Sequence, residues 1–153
     1  MVTNTFSPAV RALASRVPDY VARAIQVAAV EIESDTKRAL TSAQPYPAVN
    51  TGQLRASYRI VIQPGRMAAR VGSDLQHSKF VEHGTGPHWA PIAPLLYWAK
   101  RKFGKEGERI AYAVQQAIAR RGTAARPALG PAFERARKTL LAKMKRAVRE
   151  SLK

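Results

Sequence analysis

The sequence contains no cysteine and few acidic residues. Without thiols it can form neither disulfides nor thiolate zinc sites. No apolar run approaches the roughly 20 residues that span a bilayer, so we expect no membrane contact. The N-terminus lacks a basic start followed by an apolar block, so we expect no signal peptide. A length of 153 residues, of which 46% are hydrophobic, predicts one soluble domain, 1–153, made in the cytoplasm.

Carboxylates are scarce: 10 Asp plus Glu stand against 26 Lys plus Arg, for a net charge of +16. Such a field attracts nucleic acid, anionic membranes or acidic protein surfaces, and it does not choose among them. It also leaves little material for acid–base catalysis. The sequence motifs of serine hydrolases, zinc proteases and phosphate-binding loops are absent. We therefore predict a protein that is not an enzyme and needs no cofactor.

The apolar spacing predicts three helical regions. A long amphipathic helix is expected over 18–42, with Pro18 at its start, and the proline-rich stretch 44–52 ends it. A helical pair is expected over 92–121, and a long C-terminal helix over 131–152.

Alternating residues predict a small sheet between the first two helical regions. Leu54–Gln63 and the following MAARVGS stretch form a β-hairpin that turns at Pro64–Arg66, and a third strand covers Ser78–Gly84. The sheet therefore spans 54–84. The fold class is α+β: a small antiparallel β-sheet packed with a long N-terminal helix and a long C-terminal helix, plus an inserted helical pair. We expect the two long helices to cover one face of the sheet.

The stretch FVEHGTGPHWAP, residues 80–91, is the best candidate for chemistry. His77, Glu82, His83 and His88 could bind a metal and support a metal-dependent hydrolase. On a strand, however, Glu82 and His83 would point to opposite faces and could not hold the same ion. We therefore favour an architectural role over a metal site.

In the architectural interpretation, the glycines of this stretch make a sharp turn. Gly84 and Gly86 adopt positive φ, and Trp89 fills a hydrophobic gap. Glu82 is then expected to form an ion pair with an arginine or lysine, either within the chain or across a subunit boundary.

The last helical region is strongly basic. From Ala132 onward, eight basic residues stand against two acidic ones. No helix-turn-helix, zinc module or aromatic platform accompanies them. Two alternatives stay open: a solvated helix face, or contact with DNA phosphates or an acidic partner. The candidates for such contact are Arg135, Arg137, Lys138, Lys143, Lys145, Arg146 and Arg149.

Three segments, in this order, resemble the neck or tail-completion proteins of long-tailed bacteriophages. They are NTGQLRAS (50–57), FVEHGTGPHW (80–89) and ARRGTAARPALGPAFERA (119–136), and the basic helix follows them. That family enters its first strand with D/N-T-G-x-L-R-x-S, closes its sheet with V-E-x-G-T and begins its last helix with A-R-P-F-L-x-P-A. Ala128 stands where the family usually has phenylalanine. The resemblance runs from about Asn50 to Leu152.

The resemblance implies a non-enzymatic virion protein of the neck or tail, assembled in the host cytoplasm. It implies a homo-oligomeric ring of six subunits between the portal-side connector and the tail tube or tail terminator. Because a ring of +16 subunits repels itself, we expect acidic partners or channel DNA as counter-charge. The alternative function is non-specific nucleic-acid binding. The predicted interface residues are Arg55, Glu82, His83, Thr85, His88, Trp89 and Arg126.

Overall fold

The computed structural model describes residues 8–42, 50–63 and 67–151. Helix α1 spans Pro8–Ser42. The predicted start at Pro18 is wrong, because Pro18 lies inside the helix. The stretch before it is rich in alanine and begins with another proline, which suits the first turn of a helix. The predicted break at 44–52 falls largely outside the described residues.

The hairpin is confirmed, but it is shorter than predicted. Strands β1 (Arg59–Gln63) and β2 (Ala68–Gly72) are antiparallel, with Ile60 opposite Val71. The turn predicted at 64–66 lies outside the described residues. Residues Gln53–Ser57 form a short helix, α2, so the predicted strand is wrong from Leu54 to Ser57. A helix satisfies the same pattern, because it places Leu54 and Tyr58, four residues apart, in one buried cluster.

The third predicted strand is wrong: Ser78–His83 is a helix, α3. Six residues are too few to show a period of two or of 3.6, so the sequence could not discriminate between a strand and a helical turn. Helix α3 ends where the Gly84 N–H donates a hydrogen bond to the Phe80 carbonyl oxygen at 2.9 Å. The sheet therefore has two strands in the described residues.

The helical pair consists of α4 (Ile92–Phe103) and α5 (Gly107–Arg121), joined by a single 3-10 turn. The two helices pack mainly on each other. Gly107 is buried where they meet, and a Cβ atom there would lie 2.6 Å from the Lys100 Cα. Helix α6 follows over Leu129–Ser151, close to the predicted 131–152, of which Leu152 lies outside the described residues.

Helices α1 and α6 form one layer, and the hairpin packs against it. They run antiparallel, since Asp35 pairs with Arg135 and Glu31 with Lys143. A first buried cluster comprises Leu40, Leu54, Tyr58 and Ala128, and a second comprises Ile32, Ala132 and Ala136. Val71 of β2 packs on the second cluster, and α1 makes more contacts with the hairpin than α6 does. The fold is α+β, as the sequence predicts.

Candidate functional site

Two distant segments of the chain, residues 81–85 and 122–130, are held together, and we call this pair the clasp. The Thr85 N–H donates to the Thr123 carbonyl oxygen at 3.0 Å, and the Thr123 N–H donates to the Thr85 carbonyl oxygen at 3.1 Å. These bonds form an isolated antiparallel bridge. The clasp therefore joins the second and third sequence motifs into one structural unit.

Two glycines allow the clasp to close. Gly84 has φ 73°, and a Cβ atom there would lie 2.5 Å from the Thr123 carbonyl oxygen. Gly122 has φ 71°, and its Cβ atom would overlap the Thr85 carbonyl oxygen. The predicted positive φ is confirmed at Gly84 and wrong at Gly86, which is absent from the glycines with positive φ in the described residues.

Glu82 caps helix α6. Its Oε2 accepts hydrogen bonds from the N–H groups of Ala128 (2.8 Å) and Leu129 (3.1 Å), and its Oε1 accepts one from Gly130 (2.7 Å). A carboxylate at this position satisfies unpaired N–H groups and opposes the positive end of the helix dipole. The structure thus engages Glu82 with backbone rather than with the expected arginine or lysine. The carboxylate fixes where α6 begins.

The pKa of Tyr58 shows that the charge of Glu82 acts beyond the clasp. Burial raises the pKa of the Tyr58 hydroxyl above its ordinary value of 10.0, and the negative charge of Glu82 raises it further. Both effects disfavour the phenolate. The negative charge of Glu82 therefore interacts with Tyr58 in the first buried cluster as well as with the start of α6.

Thr85 and Arg126, two predicted interface residues, belong to the clasp itself. The Thr85 Oγ1 lies 2.9 Å from the Thr123 Oγ1. The Arg126 N–H donates to the Val81 carbonyl oxygen at 2.7 Å, and the residue is half-buried. Both residues thus have structural contacts within the chain in addition to any role at an interface.

Beyond the clasp, the loop Gly86–Pro91 carries Trp89 into solvent. The expectation that Trp89 fills a gap is wrong, because 72% of the residue is exposed. The loop around it is fixed: the Gln115 Nε2 donates to the Ala90 carbonyl oxygen at 2.7 Å, and the His88 Nδ1 lies 2.9 Å from the Gly86 carbonyl oxygen. An exposed indole is therefore held on an ordered support.

An open groove of about 770 Å³ lies between the clasp, α3 and α5. Its apolar lining comes from Phe80 and Val81 on one side and from Val114, Ala117 and Ile118 on the other. Its polar lining includes His77, Thr85, His88, Arg121 and Arg126. Three of the predicted interface residues, Thr85, His88 and Arg126, thus meet at one surface.

The remaining predicted interface residues lie apart from the groove lining. His83 is exposed at the end of α3. Arg55 lies on α2, in a separate depression that it shares with Lys37 and Arg38. The structure therefore does not bring all seven residues into one surface.

No metal centre forms in the described residues, where no group of three His, Asp or Glu side chains is arranged to hold an ion. Because α3 is a helix, Glu82 and His83 are about 100° apart around its axis rather than on opposite strand faces. Within the same ranges, no helix has the length and apolarity to cross a bilayer.

The basic side chains of α6 divide into two groups. Four are paired with carboxylates: Arg135 with Asp35, Arg137 with Glu134, Lys143 with Glu31, and Arg146 with Glu150. The other three, Lys138, Lys145 and Arg149, have no ion pair within the described residues. Spacings of seven and four place these three on one stripe of the helix. Leu141, which is 62% exposed, borders the same stripe.

Sequence reasoning missed Gly122, Thr123 and Gln115. One signal was present: the dipeptide Gly-Thr occurs twice, at 84–85 and 122–123, and the two copies form the bridge of the clasp. Nothing in the sequence pointed to Gln115, because its acceptor is a carbonyl oxygen in a loop 25 residues away.

The comparisons with known proteins agree with the resemblance in the sequence. Residues 4–84 match the model of the HK97-gp10-like family, described as "Bacteriophage HK97-gp10, putative tail-component". The match covers α1, the hairpin and α3, and it ends before the third motif, whereas the motifs had placed the resemblance between about Asn50 and Leu152. No curated protein and no solved structure matches the chain. Since the match covers more than half of the sequence, the chain belongs to the HK97-gp10-like family and is a structural component of the bacteriophage tail, and so of the virion.

Proposed function

We propose that this protein joins the phage head to the tail as a subunit of a closed ring, and that it has no catalytic role. The ring has six subunits by resemblance to the tail-completion family. It contacts the portal-side connector on one side and the tail tube or tail terminator on the other. Subunits are made in the host cytoplasm and assemble there.

The observation that carries this proposal is the ordered surface beside the clasp. The clasp fixes the Gly86–Pro91 loop relative to α6, and the loop presents Trp89 with 72% of the residue exposed. Large exposed aromatic residues on ordered supports are typical anchors of protein interfaces. A surface already ordered before binding loses little conformational entropy when a partner docks.

The ring is tested by mixing the purified full chain with purified connector or tail-tube protein from the same phage. We expect rings by negative-stain electron microscopy and a matching mass by sedimentation velocity. The chain alone, across a range of concentrations, is the control. A chain that stays monomeric with and without these proteins contradicts the proposal.

The unpaired stripe on α6 favours a second function, non-specific DNA binding. Lys138, Lys145 and Arg149 have no carboxylate partner in the described residues, so their charges are available to phosphates. Each phosphate contact contributes roughly 0.9 to the slope of log affinity against log salt concentration. This slope is negative, because salt weakens binding. Replacing all three residues by alanine should therefore make it shallower by roughly 3.

The matched control for DNA binding replaces Arg135, Arg137 and Arg146, which are paired, with alanine. It removes the same net charge, so its smaller effect on the slope would assign the contact to the unpaired stripe. Equal effects of the two triple variants would show diffuse attraction. No duplex binding by the wild-type chain at low salt would remove this function altogether.

A further inference from the structure

Nearly all carboxylates of the chain form ion pairs or hydrogen bonds within the chain itself. All ten lie in the described residues. Seven of them form ion pairs, and Glu82 is occupied by the start of α6. Within the described part of the chain, this leaves Asp19 and Glu108 without a hydrogen-bond or ion-pair partner. A neighbouring copy therefore has few free carboxylates to offer.

The groove, by contrast, is bordered by positive charge. Arg121 lines it, is exposed, and has no ion pair in the described residues. The Lys79 Nζ lies 5.0 Å from the centre of the Phe80 ring, and Phe80 forms part of the apolar lining. Because charges attract more strongly where apolar surface partly excludes water, these cations favour a ligand that carries carboxylates.

The lining of the groove distinguishes between the two kinds of polyanion. Val81, Val114, Ala117 and Ile118 present an apolar floor, and Phe80 is 48% exposed at its edge. Burying this surface is favourable only if apolar groups cover it. The phosphate backbone of duplex DNA carries no such groups, whereas a protein segment carries both carboxylates and apolar side chains.

Trp89 extends the same surface. Its neighbour His88 lines the groove, and the His88 N–H is 3.4 Å from the Ile118 carbonyl oxygen in the groove wall. The indole is thus held beside the groove rather than on an independent loop. A segment lying in the groove could also pack on the indole, which would act as a preorganised anchor.

We infer that the groove, together with Trp89, binds an acidic segment with apolar side chains from a different protein. The occupant is not a second copy, because a copy has few free carboxylates, and it is not DNA, because the floor is apolar. This inference rests on the proposed head–tail joining function, for which it names the surface and the chemistry of the partner.

The test measures binding of three fluorescent probes to the full chain at physiological salt. The first is a short capped peptide in which Asp and Glu alternate with Leu and Phe. The second has Asn and Gln in place of the acids, and the third is a DNA duplex. We expect the acidic peptide to bind. The amide peptide should bind at least roughly tenfold more weakly.

Matched variants locate the site. Trp89→Ala should weaken the acidic peptide roughly tenfold, whereas Tyr112→Ala, at an exposed aromatic residue outside the groove, should not. Arg121→Gln should weaken it severalfold, whereas Arg120→Gln, its exposed neighbour outside the groove lining, should have less effect. Circular dichroism of each variant confirms that it is folded.

Several outcomes would overturn the inference. Equal binding of the acidic and amide peptides would remove the role of charge. Equal loss in the variants and their controls would show that binding lies elsewhere. Loss of duplex binding on Trp89→Ala, with no peptide binding, would assign the surface to DNA. Loss of ring formation on Trp89→Ala, again without peptide binding, would assign it to a second copy. Normal rings and normal joining to the connector, with no peptide binding, would refute the inference and leave the proposed function standing.

Discussion

The layer formed by α1 and α6 and the clasp hold the molecule together in different ways. In the layer, small side chains such as Ala132 and Ala136 pack closely against Ile32, and ion pairs at the edges are partly exposed. In the clasp, a few backbone hydrogen bonds, two glycines and one carboxylate carry the contact. The layer spreads its stabilisation over many weak contacts, whereas the clasp concentrates it on a few atoms.

The largest expected effect is that of Gly122→Ala in the clasp. A methyl group there would overlap the Thr85 carbonyl oxygen, and φ of 71° is unfavourable for alanine. We expect the free energy of unfolding to fall by at least about 3 kcal/mol. Urea denaturation followed by circular dichroism measures it.

Two other glycines separate the causes. Gly52 has φ 82° with open space around it, so Gly52→Ala should cost only about 1 kcal/mol. Gly86 has open space and no positive φ, so Gly86→Ala should change stability by less than about 0.5 kcal/mol. If Gly122→Ala costs no more than Gly52→Ala, close approach in the clasp is not the cause.

The next largest effect is expected at Glu82. Glu82→Ala removes the acceptor of three N–H groups and should lower the free energy of unfolding by about 2 kcal/mol. Glu82→Gln retains one acceptor oxygen and should cost about 1 kcal/mol. Glu134→Ala, which breaks an exposed ion pair on α6, is the control and should cost less than about 0.5 kcal/mol. Equal effects at the two glutamates would refute the capping role.

A smaller effect is expected in the layer. Ile32→Val removes one buried methylene between α1 and α6, and it should cost about 1 kcal/mol. Val30→Ala, at a residue 55% exposed on the same helix, should stay within about 0.5 kcal/mol. Thermal or urea unfolding compares the two. A cost at Ile32 equal to that of Gly122→Ala would contradict the contrast between layer and clasp.

The last effect is confined to alkaline pH. The raised pKa of the Tyr58 hydroxyl means that the unfolded chain loses this proton first, near pH 10. The stabilisation is complete below that pH and is lost as the pH rises through the pKa of the folded state. Tyr58→Phe should therefore make the decline of stability above pH 10 shallower. Tyr112→Phe, at an exposed site, is the matched control, and equal slopes in the two variants would contradict the assignment.

Long periodic segments could be predicted from the sequence. The apolar spacing of the two long helices and of the helical pair, and the alternation in the hairpin, follow from which side chains must be buried. The six residues of α3 were too few for a period to be assigned. The exposure of Trp89 could not be predicted either, because it depends on hydrogen bonds from Gln115 and His88 that no local pattern encodes.

The candidate surface was predicted only in part. The motifs identified Thr85, His88, Trp89 and Arg126, which the structure places at or beside one groove. The partner of Glu82 could not be predicted, since residues 128–130 offer it backbone N–H groups rather than a recognisable side chain. Ala128, where the sequence departs from the third motif of the resemblance, is buried beside Leu40 and Tyr58. The smaller residue is thus still part of the core.

The bridge between Thr85 and Thr123 also indicates why the α4–α5 pair could change in length without disturbing the rest of the fold. The α4–α5 pair leaves the rest of the molecule and returns to it at two residues that are hydrogen-bonded to each other. A turn of about two to four residues could span that gap. Because the cost of closing a loop rises only slowly with its length, the pair can be lengthened, shortened or exchanged without moving α1, the hairpin or α6. The same layer could therefore carry arms of different length.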